Sequence, residues 1–455
     1  MKIKFQSLLY AKESTKACVK VWSITGVCLL MSCTAFASMN ENVPQTITLE
    51  SAIKRTMANE PLLYEFSVKQ GILEGEGKTA ALKPAYSMGV EVENVLGTGE
   101  VSGIKDAEVT LTLSSVIELG DKLHARGQVI DVKRNQLAIQ RQIVSLDVLA
   151  EVTRRYIDVL ATQEMLSAMQ QAQQLARYAY QAVIKRVEAG ASPLLEEKRA
   201  QAALAEARLN VITVQQQLQS NIKSLAIMWG ETTPVFTGVD GQLFTLPTST
   251  VISTNSNEFD YLVGVLSESP HIAQFAQQSR VQDAQIRLAQ ANNSPDVTWT
   301  AGVRRMNGID EFAFVAGASV PLFTNTRNLG EYEAQKARLD QIELQKQASE
   351  RELYHQVNQA LDARDRALLE VNTLQNDVIP PLKEALALVE AAYSDGRFSY
   401  LEWVTTRKEL LSAQRALIQS AKIAHQRNAD IEALTGVAMT KRTDDAVSNT
   451  YFIEQ

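Results

Sequence analysis

A chain of 455 residues, 21% charged and with a formal net charge of −7, has no basic excess with which to hold a phosphate backbone, which excludes nucleic-acid binding as a main role. Aromatic residues make up only 6%. The stretches 125–230 and 330–435 are dense in Ala, Leu, Gln, Glu, Lys and Arg, all strong helix formers, so the composition predicts a mainly α protein of long helices.

The first 37 residues read as an export signal. Lys12, Lys16 and Lys20 precede an apolar run from Val21 to Met31, and Ala35-Phe36-Ala37 forms an A-x-A cleavage pattern. The run is shorter than the ~20 residues a membrane-spanning helix needs. Leu29-Leu30-Met31-Ser32-Cys33 also resembles the lipobox of bacterial lipoproteins, in which Cys33 would be acylated and become the new first residue. The two routes exclude each other. All three cysteines, Cys18, Cys28 and Cys33, fall in this region, so the exported chain has no disulfide and must be stabilised by packing and assembly.

From residue 38 the chain reads as one unit written twice, 38–240 and 241–436, followed by a polar tail, 437–455. Each unit opens with a short helix (Leu49 to Ala58; Phe259 to Leu266) and a longer one that starts on a proline (Pro61 to Lys83; Pro270 to Asn293). Two strand-like segments follow in each. Met88, Val90 and Val92 alternate with Gly89, Glu91 and Glu93, and Val109, Leu111 and Leu113 alternate with Glu108, Thr110 and Thr112. In the second unit Val297, Trp299, Ala301 and Val303 alternate with Thr298, Thr300, Gly302 and Arg304, and Phe312 to Val320 supplies the partner. Four such strands have the length and dyad pattern of transmembrane barrel strands, but closure needs at least about eight. Several copies would each have to contribute four; a small soluble sheet with one wet face fits the same periodicity.

No proline interrupts Lys122 to Ala189, which allows a helix of ~100 Å. It turns at Gly190-Ala191-Ser192-Pro193, with Ser192 expected as N-cap and Pro193 as first helical residue, and returns to about Met228. Asn328 to Ser394 and Ser399 to Leu434 repeat the hairpin, with Pro380-Pro381 expected to break or kink the outgoing helix. Gly190 and Gly396, each followed at the same distance by Leu195-Glu196 and Leu401-Glu402, mark equivalent tips.

Together these residues resemble the TolC-type outer-membrane efflux proteins, and within them the heavy-metal, CzcC-like branch that serves resistance-nodulation-division (RND) exporters. The resemblance is carried by Ile47-Thr48-Leu49-Glu50-Ser51-Ala52-Ile53, Val116-Ile117-Glu118-Leu119-Gly120-Asp121-Lys122, Arg186-Val187-Glu188-Ala189-Gly190, Val320-Pro321-Leu322-Phe323 and Tyr393-Ser394-Asp395-Gly396. It implies a homotrimer in which four strands per chain make a twelve-stranded barrel in outer-membrane lipid, above a periplasmic tunnel of helices. It also implies two partners, a periplasmic adaptor (membrane-fusion) protein and an inner-membrane RND pump. On this resemblance Glu402 is the candidate for an acidic ring closing the tunnel, with Glu196 its counterpart. Some relatives carry a second acid one turn on, where this chain has Thr405. Gly190, Leu195, Gly396 and Leu401 become the adaptor-docking tips. Glu91, Glu93 and Glu108 are lumen candidates, because the opposite strand face is apolar and suits lipid.

The function implied is a passive outer-membrane exit duct, for heavy-metal cations, with a multidrug or general efflux duct as the alternative. A structural periplasmic coiled-coil protein would leave the four strands unexplained. No Walker, dinucleotide or nucleophile-elbow motif is present, and His124, His271, His355 and His425 have no metal-ligand spacing. No enzyme activity and no cofactor are expected.

Overall fold

The computed structural model describes residues 46–246, 258–322 and 328–437. The expected export signal, Cys33, Phe323 of the fourth family segment and the tail beyond Val437 lie outside these residues. Two runs of elements follow one another in the same order. The first is β1 (Thr46–Ile47), α1 (Leu49–Asn59), α2 (Pro61–Ala80), β2 (Ser87–Glu93), β3 (Glu108–Ile117), α3 (Lys122–Glu188) and α4 (Leu194–Ile227), closed by β4 (Gly238–Val239). The second is α5 (Glu258–Ser267), α6 (Pro270–Ala291), β5 (Val297–Met306), β6 (Glu311–Ser319), α7 (Leu329–Thr373), α8 (Ile379–Ser394) and α9 (Tyr400–Thr435).

The helices begin where their sequences cap them. Thr48 accepts the Ser51 amide at 3.2 Å, Pro61 and Pro270 open α2 and α6, and Ser399 caps α9. Helix α3 has 67 residues, about 100 Å at 1.5 Å per residue. Its buried positions, such as Val148, Val152, Tyr156 and Val159, recur at three or four residues and form the seam against its neighbours.

Three separate apolar cores run along the bundle. One joins α3 and α4 to the segment after α4 through Val152, Val159, Met169, Leu225, Trp229, Phe236 and Leu243. There Thr46 and Ile47 pair in parallel with Gly238 and Val239. The Tyr156 hydroxyl donates to the carbonyls of Ile47 (3.0 Å) and Asp240, and burial pushes its pKa up to about 12. A second core, of Leu262, Leu266, Val357, Leu361 and Ile431, lies under α5. Beside it Arg364 on α7 holds Glu258 through two bonds of 2.9 and 2.7 Å. The third core lies at the hairpin tips.

The four longer strands form one antiparallel sheet in the order β2-β3-β5-β6. Register places Glu91, Thr110, Arg304 and Ala313 in one row, and Val90, Leu111, Val303 and Phe314 in a row on the opposite face. The alternation expected from sequence therefore resolves into one polar face and one apolar face. The apolar face is open: Phe314 is 93% and Met88 77% exposed. Within the described residues β2 and β6 each have an edge without a strand partner.

Sheet and helices meet in an ionic junction. Lys122, buried, bonds Asp296 at 2.6 Å, and Arg126 grips Glu118 at 2.6 and 2.8 Å while donating to the carbonyls of Ala80 and Leu82 at the end of α2. Gly120 turns the chain there with φ +76° and passes so close to Ser294 that a Cβ would collide with it.

One local expectation is corrected and another is narrowed. Pro193 is the N-cap of α4 and Leu194 its first residue, one position later than expected; the Ser192 hydroxyl accepts instead from Arg186 Nε at 3.2 Å. Pro380-Pro381 does not break the outgoing helix. Residues Leu374–Val378 form a π turn between α7 and α8, and the Ile379 amide reaches back to the Leu374 carbonyl. Two successive prolines remove two donors and press their rings on the preceding turn, and widening that turn relieves both.

Candidate functional site

At the tips, both hairpins close with the same backbone geometry. The amides of Gly190 and Ala191 bond the carbonyls of Val187 and Arg186 at 3.0 and 2.8 Å, and those of Gly396 and Arg397 bond Tyr393 and Ala392 at 3.0 and 2.8 Å. Gly190 and Gly396 sit at φ +69° and +76°, where a side chain would be strained. Just beyond each glycine stands a leucine that no core needs: Leu195 is 58% and Leu401 60% exposed.

One residue ties the two tips together. Arg186, in the last turn of α3, donates to the carbonyls of Tyr393 (2.6 Å) and Ser394 (3.3 Å) at the end of α8, and its guanidinium lies 4.9 Å from the Tyr393 ring centre. The carbonyls at a helix C-terminus have no intrahelical donor and carry negative partial charge, so a fixed cation there satisfies both needs. Tyr393 is fully buried and packs edge or tilted against Tyr400 and Trp403, and Tyr178 meets Trp403 edge to face. Its hydroxyl donates to Glu196 Oε2 at 3.2 Å. Burial pushes the Tyr393 and Tyr400 phenols up, and pushes the Arg407 guanidinium down among the same side chains.

The two acidic tip candidates differ in setting. Glu196 is half-buried and bound to Tyr393 on the neighbouring hairpin. Glu402 is exposed, and its carboxylate closes a capping box: Oε2 accepts from the Ser399 amide at 2.8 Å and from its hydroxyl at 3.0 Å. Glu402, Thr405, Thr406 and Glu409 line one groove with Val389 and Phe398. The structure thus places Glu196 and Glu402 at the same end of the molecule without bringing their carboxylates into one cluster within a chain.

At the other end, Glu91, Glu93 and Glu108 share the polar face of the sheet. Arg304 joins them from β5. Its guanidinium forms an ion pair with Glu93 at 2.7 Å and hydrogen-bonds Glu108 at 2.9 Å, and its Nε donates to the buried Thr110 hydroxyl at 3.0 Å. Among the described residues no group of three or more His, Cys, Asp or Glu is placed to hold a metal ion, and no helix is long and apolar enough to cross a membrane.

Sequence reading named the glycines, leucines and acids of these sites but not Arg186 as a tie, nor the aromatic cluster, nor the Arg304 clamp. A signal existed for the cluster: Tyr400, Trp403, Arg407 and Leu410 lie at i, i+3, i+7 and i+10, one face of a helix.

Comparison with known proteins adds four findings. The family described as "Outer membrane efflux protein" matches residues 86–231 and 262–437. The chain is 24% identical over 374 residues to the cobalt-zinc-cadmium resistance protein CzcC of Cupriavidus metallidurans, covering 82% of this chain and 84% of that one. It is 24% identical over 340 residues to the nickel-cobalt-cadmium resistance protein NccC of Alcaligenes xylosoxydans xylosoxydans, covering 73% and 74%. Its fold matches the crystal structure of CusC with a TM-score of 0.71 at 15% identity, over 85% of this chain and 91% of that one.

Proposed function

Because the chain belongs to the outer membrane efflux protein family, a family of ducts rather than enzymes located in the outer membrane with a large periplasmic part, we propose that it is the passive exit channel of a tripartite system that expels heavy-metal cations. The observation that carries the channel reading is the sheet. Its apolar face is exposed, its other face is polar, and both its edges lack a strand partner among the described residues. Three copies would supply twelve strands, enough to close a barrel with the apolar face toward lipid and Glu91, Glu93 and Glu108 toward the lumen. We read the two runs of elements as the duplicated units 38–240 and 241–436, behind an export signal in 1–37. The choice of cargo follows CzcC and NccC, whose names give cobalt, zinc, cadmium and nickel.

In this reading the helical tips face the inner membrane, where the pump supplies the energy. Leu195 and Leu401, exposed beside Gly190 and Gly396, are the adaptor-docking surface. Glu402 rings the tunnel axis in three copies and favours cations there; Glu196, held by Tyr393, sets the spacing of the outer hairpin.

The test is single-channel recording of the detergent-purified protein in planar bilayers, with Glu402→Gln beside wild type. Gln also completes a capping box, so this variant removes the charge and keeps the helix start. Pores whose gating or cation preference changes in E402Q support duct and ring. Unchanged pores retire Glu402 as gate, and a protein that forms none retires the channel. Deleting the gene is expected to sensitise cells to cobalt, zinc or cadmium; sensitivity to dyes or drugs with unchanged metal tolerance would place the cargo elsewhere.

A further inference from the structure

The polar face of the sheet carries its charges at one end. Register puts Glu93, Glu108, Met306 and Glu311 in the row next to the hairpin loops, and Glu91, Thr110, Arg304 and Ala313 in the next row on that face. The helices join the sheet at its opposite end, through Ser87, Ile117, Val297 and Ser319. In a duct whose helices stand in the periplasm, the charged rows are therefore the outer mouth. Four carboxylates stand there per chain against one cation, since Arg304 is the sole basic residue among the strand positions of that face.

Arg304 is also held still. It reaches across three strands, in an ion pair with Glu93 on β2 at 2.7 Å and a hydrogen bond to Glu108 on β3 at 2.9 Å, and the Thr110 hydroxyl beneath it accepts from its Nε at 3.0 Å. Asn94 donates to the other Glu108 oxygen at 3.1 Å. One guanidinium shared by two carboxylates offsets one of their charges, so four acids against one base leave the strand positions of the two rows with a net charge of −3 per chain (1 − 4). We propose that Arg304 is the residue that sets the charge of the duct's outer mouth and so limits its preference for cations. The inference rests on the barrel reading, which assigns the polar face to the lumen. Threefold repetition multiplies the effect: each change of one charge per chain becomes a change of three at a single level of the pore. In a pore, rings of fixed charge act on permeating ions over about a Debye length, ~10 Å at 0.1 M salt.

The experiment measures reversal potential across a KCl gradient for purified full-length protein in planar bilayers. Arg304→Gln is expected to raise the ratio of potassium to chloride permeability roughly twofold at ~0.1 M salt, an effect that shrinks at 1 M. Adding Glu108→Gln restores the net charge and is expected to bring the ratio back. Glu108→Gln alone should shift it the opposite way, which keeps the inference testable should R304Q assemble poorly. Arg305→Gln, one residue along and on the apolar face, should leave the ratio unchanged. Wild-type and variant pores with equal reversal potentials would overturn the role of Arg304 while leaving the duct intact. A wild-type protein that forms no pores would overturn the duct reading and this inference with it.

Discussion

Arg186 shows how one side chain can join two hairpins that lie far apart in sequence. Its Nη1 donates to both the Tyr393 and Ser394 carbonyls while its Nε donates to Ser192 Oγ, so one planar fork serves both hairpins, a geometry lysine cannot reproduce. Hydrogen bonds from a charged donor contribute about 1.5–3 kcal/mol each in net stability. The loss should be felt locally, because the tip core is separate from the two others. Arg186→Ala is therefore expected to speed amide exchange at least roughly tenfold in the two tip turns, with Arg186→Lys in between and the core around Val159 unaffected. Mass-spectrometric hydrogen exchange resolves these segments, and equal protection in R186A would show that packing alone holds the tips. The segment containing Arg186 stood out in the sequence, but as a family signature. Its partners lie on α8, and no local pattern in α3 points to them. Glu402 stood out in the sequence as a ring candidate through the family resemblance; the capping box it forms with Ser399 is the contact the structure gives it.

At the scale of elements, proline and glycine made the boundaries readable. Pro61 and Pro270 open their helices where expected, and Gly190, Gly396 and Gly436 close theirs. Strand alternation was equally plain, because each strand has one face with nothing to pack against. Hidden from the sequence were cross-strand register, which brings Arg304 between Glu93 and Glu108, and the π turn at Leu374–Val378. A π turn is one residue more than the α-helical path requires, and each residue of an α-helix turns the chain by about 100°. Removing Asn376 together with Pro380→Ala and Pro381→Ala should thus give a continuous α-helix that still presents Leu386 and Tyr393 to the tip core. Removing exposed Ala387 instead rotates Tyr393 out of that core and should cost about 3 kcal/mol or more, the scale of a lost buried aromatic. Circular-dichroism melting compares the two. Equal destabilisation by both deletions would mean that the π turn is not a register insertion.

For the whole molecule, the question is what closes the sheet. The four strands present an apolar surface that water does not favour and two edges that pair with nothing in the described chain; an open edge of this kind is a template for another strand. Within one chain Met88 on β2 and Ala316 on β6 stand in the same row but three strand spacings apart, about 14 Å, well beyond the ~7 Å Cα separation a disulfide tolerates. A bond between β2 and β6 can form only between copies. No native cysteine lies after Cys33, so an introduced pair reports cleanly on the strands. With Met88→Cys fixed and a second cysteine moved along Phe312, Phe314, Ala316 and Ala318, which alternate on the apolar face, oxidation in membranes is expected to give covalent dimers and trimers on non-reducing gels at one or two neighbouring positions. Absence of cross-linked species at every position would sink closure by neighbouring copies. A ladder peaked at one position would also give the register between protomers, and with it the shear of the barrel and the level at which three Arg304 side chains face one another across the lumen.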